Sequence, residues 1–208
     1  MKHSDLCGDA KQAYRDSTFT AGNAEGLVKH YVGGTTVVAF RGTEKNFSDI
    51  LTDVAGWPDH YIGLGILHNG FFENALKAFP HVCAVLGKGM TKEVWLTGHS
   101  KGGAEAAITA ALLLEAWPPG AKIRLVTFGC PGFGGWKIGR ILERAEPVYY
   151  VNGVDCVPSH PLWPRTPANP TQIGEWSFAR RYLDPNDRFL DHRVVEYEKA
   201  VRARENGA

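Results

Sequence analysis

No run in this 208-residue chain approaches the roughly 18 consecutive apolar residues that a membrane-spanning helix requires. Its first residues, MKHSDLCGDAKQAYRD, lack the apolar core of a signal peptide. The sequence therefore reads as cytoplasmic, with a secreted mature form left open. Cysteine is scarce. Cys7, Cys83, Cys130 and Cys156 form no CxxC pair and no His/Cys metal spacing, so neither a zinc site nor any other cofactor is expected. Free thiols are the expectation; Cys130 and Cys156, each following an expected core strand, are the one pair worth testing for a disulfide. Charge of one sign is also missing. Lys and Arg number 23 against 22 Asp and Glu, which leaves no basic footprint for nucleic acid. Repeats, low-complexity tracts and interdomain linkers are absent, and the length suits one domain.

What is present is an alternation of apolar runs and helical patterns, the βαβ signature of a mostly parallel sheet flanked by helices. TTVVAF (35–40), VWLT (94–97), IRLVTF (123–128) and VYYV (148–151) read as buried strands. Helices are expected over about 70–86, from 101 to before Pro118, and near 136–144. Residues 157–175 read as a long irregular loop, 178–183 as a hairpin or edge strand, and about 191–205 as a charged surface helix.

Gly98-His99-Ser100-Lys101-Gly102 matches G-x-S-x-G. That pattern is common by chance, and alone it also fits a tight turn with a serine helix cap. Its context is specific: an apolar strand runs into it and a helix runs out. Crowding in such a strained turn demands small residues two before and two after the serine. Ser100 is thus the candidate nucleophile, and the Lys101 N–H falls at the positive end of the new helix.

A serine hydroxyl needs a histidine to take its proton and a carboxylate to hold that histidine. After an elbow of this kind the partners follow in the order acid, then histidine. Asp155 follows the strand VYYV and is the candidate acid, against the plainer reading of a turn carboxylate. Asp184, Asp187 and Asp191 are minor substitutes. His192, the last histidine, just before the C-terminal helix, is the candidate base, against a helix cap. His160 is the rival, but only five residues separate it from Asp155. His68 precedes the serine. His99 adjoins it and points elsewhere, so it enters only as a candidate substrate contact. For the oxyanion, Thr43 follows the strand 35–40 and joins the Lys101 N–H, although Gly42-Thr43 also fits a simple turn.

Four motifs together, FRGT (40–43), LHNGF (67–71), GHSKGG (98–103), and VTFGCPGFG followed by VNGVDCVPSHP, resemble the class 3 lipases. The resemblance implies an α/β-hydrolase fold and metal-free esterase or lipase activity. It implies Ser100, Asp155 and His192 as a triad, with Thr43 and Lys101 as the oxyanion hole. The family often carries a helical lid after the oxyanion residue, here 44–54. Phe47, Ile50, Leu51 and Val54 share one helical face. A mobile lid would offer that face to a lipid interface in transient contact; a fixed helix would bury it, and the fixed reading is preferred. Phe47, Ile50, Leu51, His99 and Trp163 are the expected substrate contacts. Lysine at 101 and the short chain argue against long-chain triglycerides and favour short- to medium-chain esters or glycerides. The alternatives are a phospholipase or lysophospholipase, for which Arg41 and Lys101 offer cations, and a non-catalytic binding scaffold.

Overall fold

Strands built from Val, Ile, Leu and Phe on both faces have no side to turn toward water, so they must be covered twice. The computed structural model, which describes residues 1–43, 57–87, 91–116, 121–160, 167–176 and 190–207, covers them so. Strands β1 (Phe19–Ala21), β2 (Ala24–Tyr31), β3 (Thr35–Phe40), β6 (Glu93–His99), β7 (Lys122–Phe128), β8 (Val148–Asn152) and β9 (Thr171–Ile173) form one sheet in the order β1-β2-β3-β6-β7-β8-β9. Every pairing from β3 to β9 is parallel. β1 and β2 extend the β3 edge antiparallel. A separate hairpin joins β4 (Pro58–Tyr61) to β5 (Gly65–His68).

Helices α2 (Asn69–Leu86), α3 (Lys101–Ala116) and α4 (Trp136–Leu142) cover one face of the sheet, and α1 (His3–Gln12) with α5 (Val194–Glu205) covers the other. Helix α3 is apolar nearly all round because it lies between the sheet and α2. Its alanines at 104, 106, 107, 110 and 111 are completely buried and let the neighbours approach closely. This is the mostly parallel, helix-flanked sheet that the alternation of runs implied.

Three readings change. No element is expected before residue 35, yet α1, β1 and β2 lie there. Their pattern is hidden because polar residues satisfy one another inside: Asp9 of α1 accepts from Lys29 (2.5 Å) and Tyr31 (2.8 Å) of β2. The stretch 157–175 is not wholly irregular, since β9 adds a parallel strand through Tyr150↔Thr171 and Asn152↔Ile173. Helix α5 is no mere surface helix, because Tyr197 and Val201 are fully buried against α1 and the sheet. None of the four cysteines is in a disulfide, and Cys130 and Cys156 are not bridged to each other. The expected features at 44–54 and 178–183 lie outside the described residues.

Candidate active site

Ser100 closes β6 and opens α3 with φ at +55°. For a serine this left-handed geometry costs on the order of 1–3 kcal/mol, which the surrounding fold must hold in place. Backbone bonds do so: the Ser100 N–H donates to the Phe128 carbonyl (3.0 Å), and the Ser100 carbonyl accepts from Gly103 N–H (2.8 Å). A Cβ at Gly98 would stand 2.3 Å from the Gly102 oxygen, and one at Gly102 would stand 2.4 Å from the Phe40 oxygen. These are backbone atoms, so neither clash has a flexible side chain to relieve it. Gly102→Ala is expected to cost about 2–3 kcal/mol, lowering Tm on the order of 5–10 °C; a thermal melt showing no fall would contradict this packing.

His192 sits in the turn before α5. Its Nε2 lies 3.0 Å from Ser100 Oγ, and its Nδ1 lies 2.8 Å from Asp155 Oδ2. A carboxylate can only accept, so Nδ1 carries the hydrogen and Nε2 turns a lone pair toward the serine. Asp155, just beyond β8, also accepts from Val157 N–H on Oδ1 (2.9 Å) and from the Tyr197 hydroxyl on Oδ2 (2.5 Å). Burial, then the Asp155 charge, push the Tyr197 phenol well above its ordinary range, so it stays a donor. Asn152 N–H donates in turn to the Tyr197 oxygen (3.1 Å). Ser100, Asp155 and His192 are all buried. The three residues nominated from the sequence therefore meet in one hydrogen-bonded line.

The rivals among the described residues are occupied elsewhere, and Asp184 and Asp187 lie outside those residues. His160 Nδ1 donates to the Cys156 carbonyl (2.9 Å), and His68 accepts from Phe71 N–H at the start of α2. Asp191 takes the Val154 N–H (2.8 Å), fixing the turn that carries Asp155 rather than replacing it. His99, named as a candidate substrate contact, is buried. Its ring nitrogens are bound to the Tyr14 hydroxyl (2.8 Å) and the His192 carbonyl (2.6 Å). The sequence missed Tyr14, Tyr197 and the part played by Asp191. A tyrosine five residues after the base was the one available signal.

The register Phe40↔Gly98 brings the chain leaving β3 alongside the elbow. Thr43 and Lys101, the two oxyanion candidates, consequently line one cleft of about 580 Å³, together with Asn23, Glu73 and Asn74. Among the described residues three cations line it, Arg41, Lys77 and Lys101, and two of them are committed within the protein. Lys101 Nζ donates to the Asn23 carbonyl (2.8 Å) and lies 3.4 Å from Glu105, and Arg41 pairs with Glu25. Phe47, Ile50, Leu51 and Trp163 lie outside the described residues.

Comparison with known proteins places this geometry. The sequence profile described as Lipase (class 3) matches residues 37–164, more than half of the chain. The chain belongs to the class 3 lipase family. Relatives of this family member include Lipase ZK262.3 of Caenorhabditis elegans, 31% identical over 134 residues, covering 60% of this chain and 37% of that protein. The Lipase-like PAD4 of Arabidopsis thaliana is 39% identical over 83 residues, covering 39% of this chain and 14% of that one. The chain thus spans well under half the length of the curated relatives it matches. Among solved structures, lipase II from Rhizopus niveus superposes with a TM-score of 0.70 at 21% identity, covering 91% of each chain. The triacylglyceride lipase of Rhizomucor miehei gives 0.64 at 19%, covering 84% of this chain and 78% of that one. The fold is that of the α/β-hydrolases.

Proposed function

We propose that this chain hydrolyses carboxylic esters through an acyl-enzyme on Ser100. The observation that carries the reading is the line Ser100 Oγ, His192, Asp155, at 3.0 and 2.8 Å. His192 Nε2 takes the hydroxyl proton as Oγ attacks the ester carbonyl. The Lys101 N–H and Thr43 hold the oxyanion, and Asp155 offsets the charge gained by His192. His192 then gives its proton to the leaving alcohol, and water releases the acid by the same two steps.

The substrates are short- to medium-chain acyl esters or glycerides. A cleft lined by Asn23, Glu73 and Asn74 beside the oxyanion loop suits a polar alcohol portion better than a long acyl tail. The internal pairing of Arg41 and Lys101 withdraws two of the cleft's three cations from a phospholipid headgroup and leaves Lys77. A binding scaffold has no use for a nucleophile aligned on a base and an acid.

A p-nitrophenyl ester series from acetate to palmitate tests this. The rate should peak at short or medium chains and fall by more than about tenfold at palmitate. A maximum at palmitate would remove the acyl-length part of the reading. Inactivity on every ester, with no reaction toward a serine-directed phosphonate, would remove the enzyme.

A further inference from the structure

Behind the reacting line lies a second line that the mechanism above does not use. The His192 carbonyl can only accept, so the 2.6 Å contact requires a hydrogen on His99 Nε2. Burial, then the neighbouring His192, hold His99 well below the ordinary imidazole range, so it is neutral and its Nδ1 is an acceptor. The Tyr14 hydroxyl fills that acceptor at 2.8 Å. Tyr14 thereby fixes the tautomer of His99, and His99 in that tautomer holds the backbone of His192. The rings of His99 and His192 are 4.7 Å apart, centre to centre. A neutral His99 adds no second positive charge when His192 takes the serine proton.

The same hydroxyl reaches a third part. A Cβ on Gly42 would stand 2.1 Å from Tyr14 Oη and 2.6 Å from the His99 carbonyl. Tyr14 is thus packed on the residue before Thr43 while bonded to the residue before Ser100. Oxyanion loop and elbow meet at one phenol, with the base turn joined through His99, and that phenol comes from the segment after α1 and outside the family-matched residues 37–164.

We infer that Tyr14 and His99 are positioning residues, a hydrogen-bonded strut from the N-terminal segment to the His192 carbonyl that sets the distance from imidazole to Ser100. The inference rests on the proposed roles of Ser100 and His192. Misplacing a reacting group by about 1 Å costs on the order of a hundredfold in rate, and the strut acts on position alone. Its loss lowers kcat and leaves substrate binding intact.

The test uses Tyr14→Phe, His99→Leu and His99→Gln in the full chain. Active sites are titrated with a phosphonate, so that misfolded protein is not counted. Tyr14→Phe should lower kcat about tenfold with KM changed by less than about twofold. His99→Leu should lower kcat about a hundredfold. His99→Gln should recover most of that loss, because its amide N–H can donate to the His192 carbonyl. Equal kcat in the leucine and glutamine variants, or a Tyr14→Phe variant matching wild type, overturns the strut. So does a Tyr14→Phe loss carried by KM. A wild-type protein that does not react with the phosphonate overturns the hydrolase reading beneath it, which is a separate outcome.

Discussion

Ester hydrolysis by Ser100→Ala is expected to fall by roughly 10⁴- to 10⁶-fold, with the fold retained. The alanine keeps its Cβ in the space the serine Cβ already occupies, so the left-handed turn at φ +55° is no more crowded than before. What is lost is the oxygen 3.0 Å from His192 Nε2. That nitrogen is left without its partner, a cost of about 1–3 kcal/mol, while the strain of the elbow is unchanged. Tm should move by less than about 10 °C, and the rate should drop to what the oxyanion donors alone can supply. A variant retaining more than about a hundredth of the wild-type rate at the same Tm would mean that another group attacks the ester.

Asp155→Asn carries the second large effect, about 10⁴-fold in kcat with KM little changed. The direction follows from which oxygen does what. Oδ1 accepts from Val157 N–H, so the amide oxygen of asparagine takes that side. The NH₂ group then occupies the Oδ2 position, where it faces two donors, the Tyr197 hydroxyl and His192 Nδ1–H. A donor cannot face a donor, so the imidazole exchanges tautomers: Nδ1 accepts from the amide, and Nε2 carries its hydrogen toward Ser100. In that form His192 cannot take the serine proton. Nitrogen-15 NMR of the imidazole should report the switch, and steady-state kinetics the loss. A kcat within tenfold of wild type, or an unchanged tautomer, would mean that Asp155 only braces the turn.

The parts of this site legible in the sequence are those that local spacing determines. Gly98 and Gly102 flank Ser100 because backbone crowding forbids anything larger, and an apolar strand before them announces the turn. Asp155 and His192 follow from chain order after a strand and before a helix. The doubly covered strands β3, β6, β7 and β8 could be read because burial on both faces leaves only apolar residues. By the same logic β2 could not. Lys29 and Tyr31 look like surface residues until Asp9, twenty positions away, is seen to satisfy them. Strand β9 has three residues in a Pro-rich stretch, and only its partner β8 makes it a strand. His99 was misjudged because the G-x-S-x-G spacing dictates which neighbours must be small and says nothing about where the intervening side chain goes. Tyr14 left no local mark, since its partner lies 85 residues away, and Tyr197 left only its spacing from His192, its partner Asp155 lying 42 residues away.

The distribution of these groups along the chain has a consequence for synthesis. Residues 37–164 hold the proposed nucleophile and acid, while the base, its tyrosine donor Tyr197 and the tyrosine behind His99 come from the two flanks. Translation delivers Tyr14 before Ser100 and Asp155, and His192 and Tyr197 after them. A nascent chain that has emerged only through β9 carries Ser100 but not His192, so it has nothing to remove the serine proton. In the proposed mechanism the capacity to cleave esters therefore arrives only with His192 and the tyrosine that follows it, and chains stopped before them stay chemically silent.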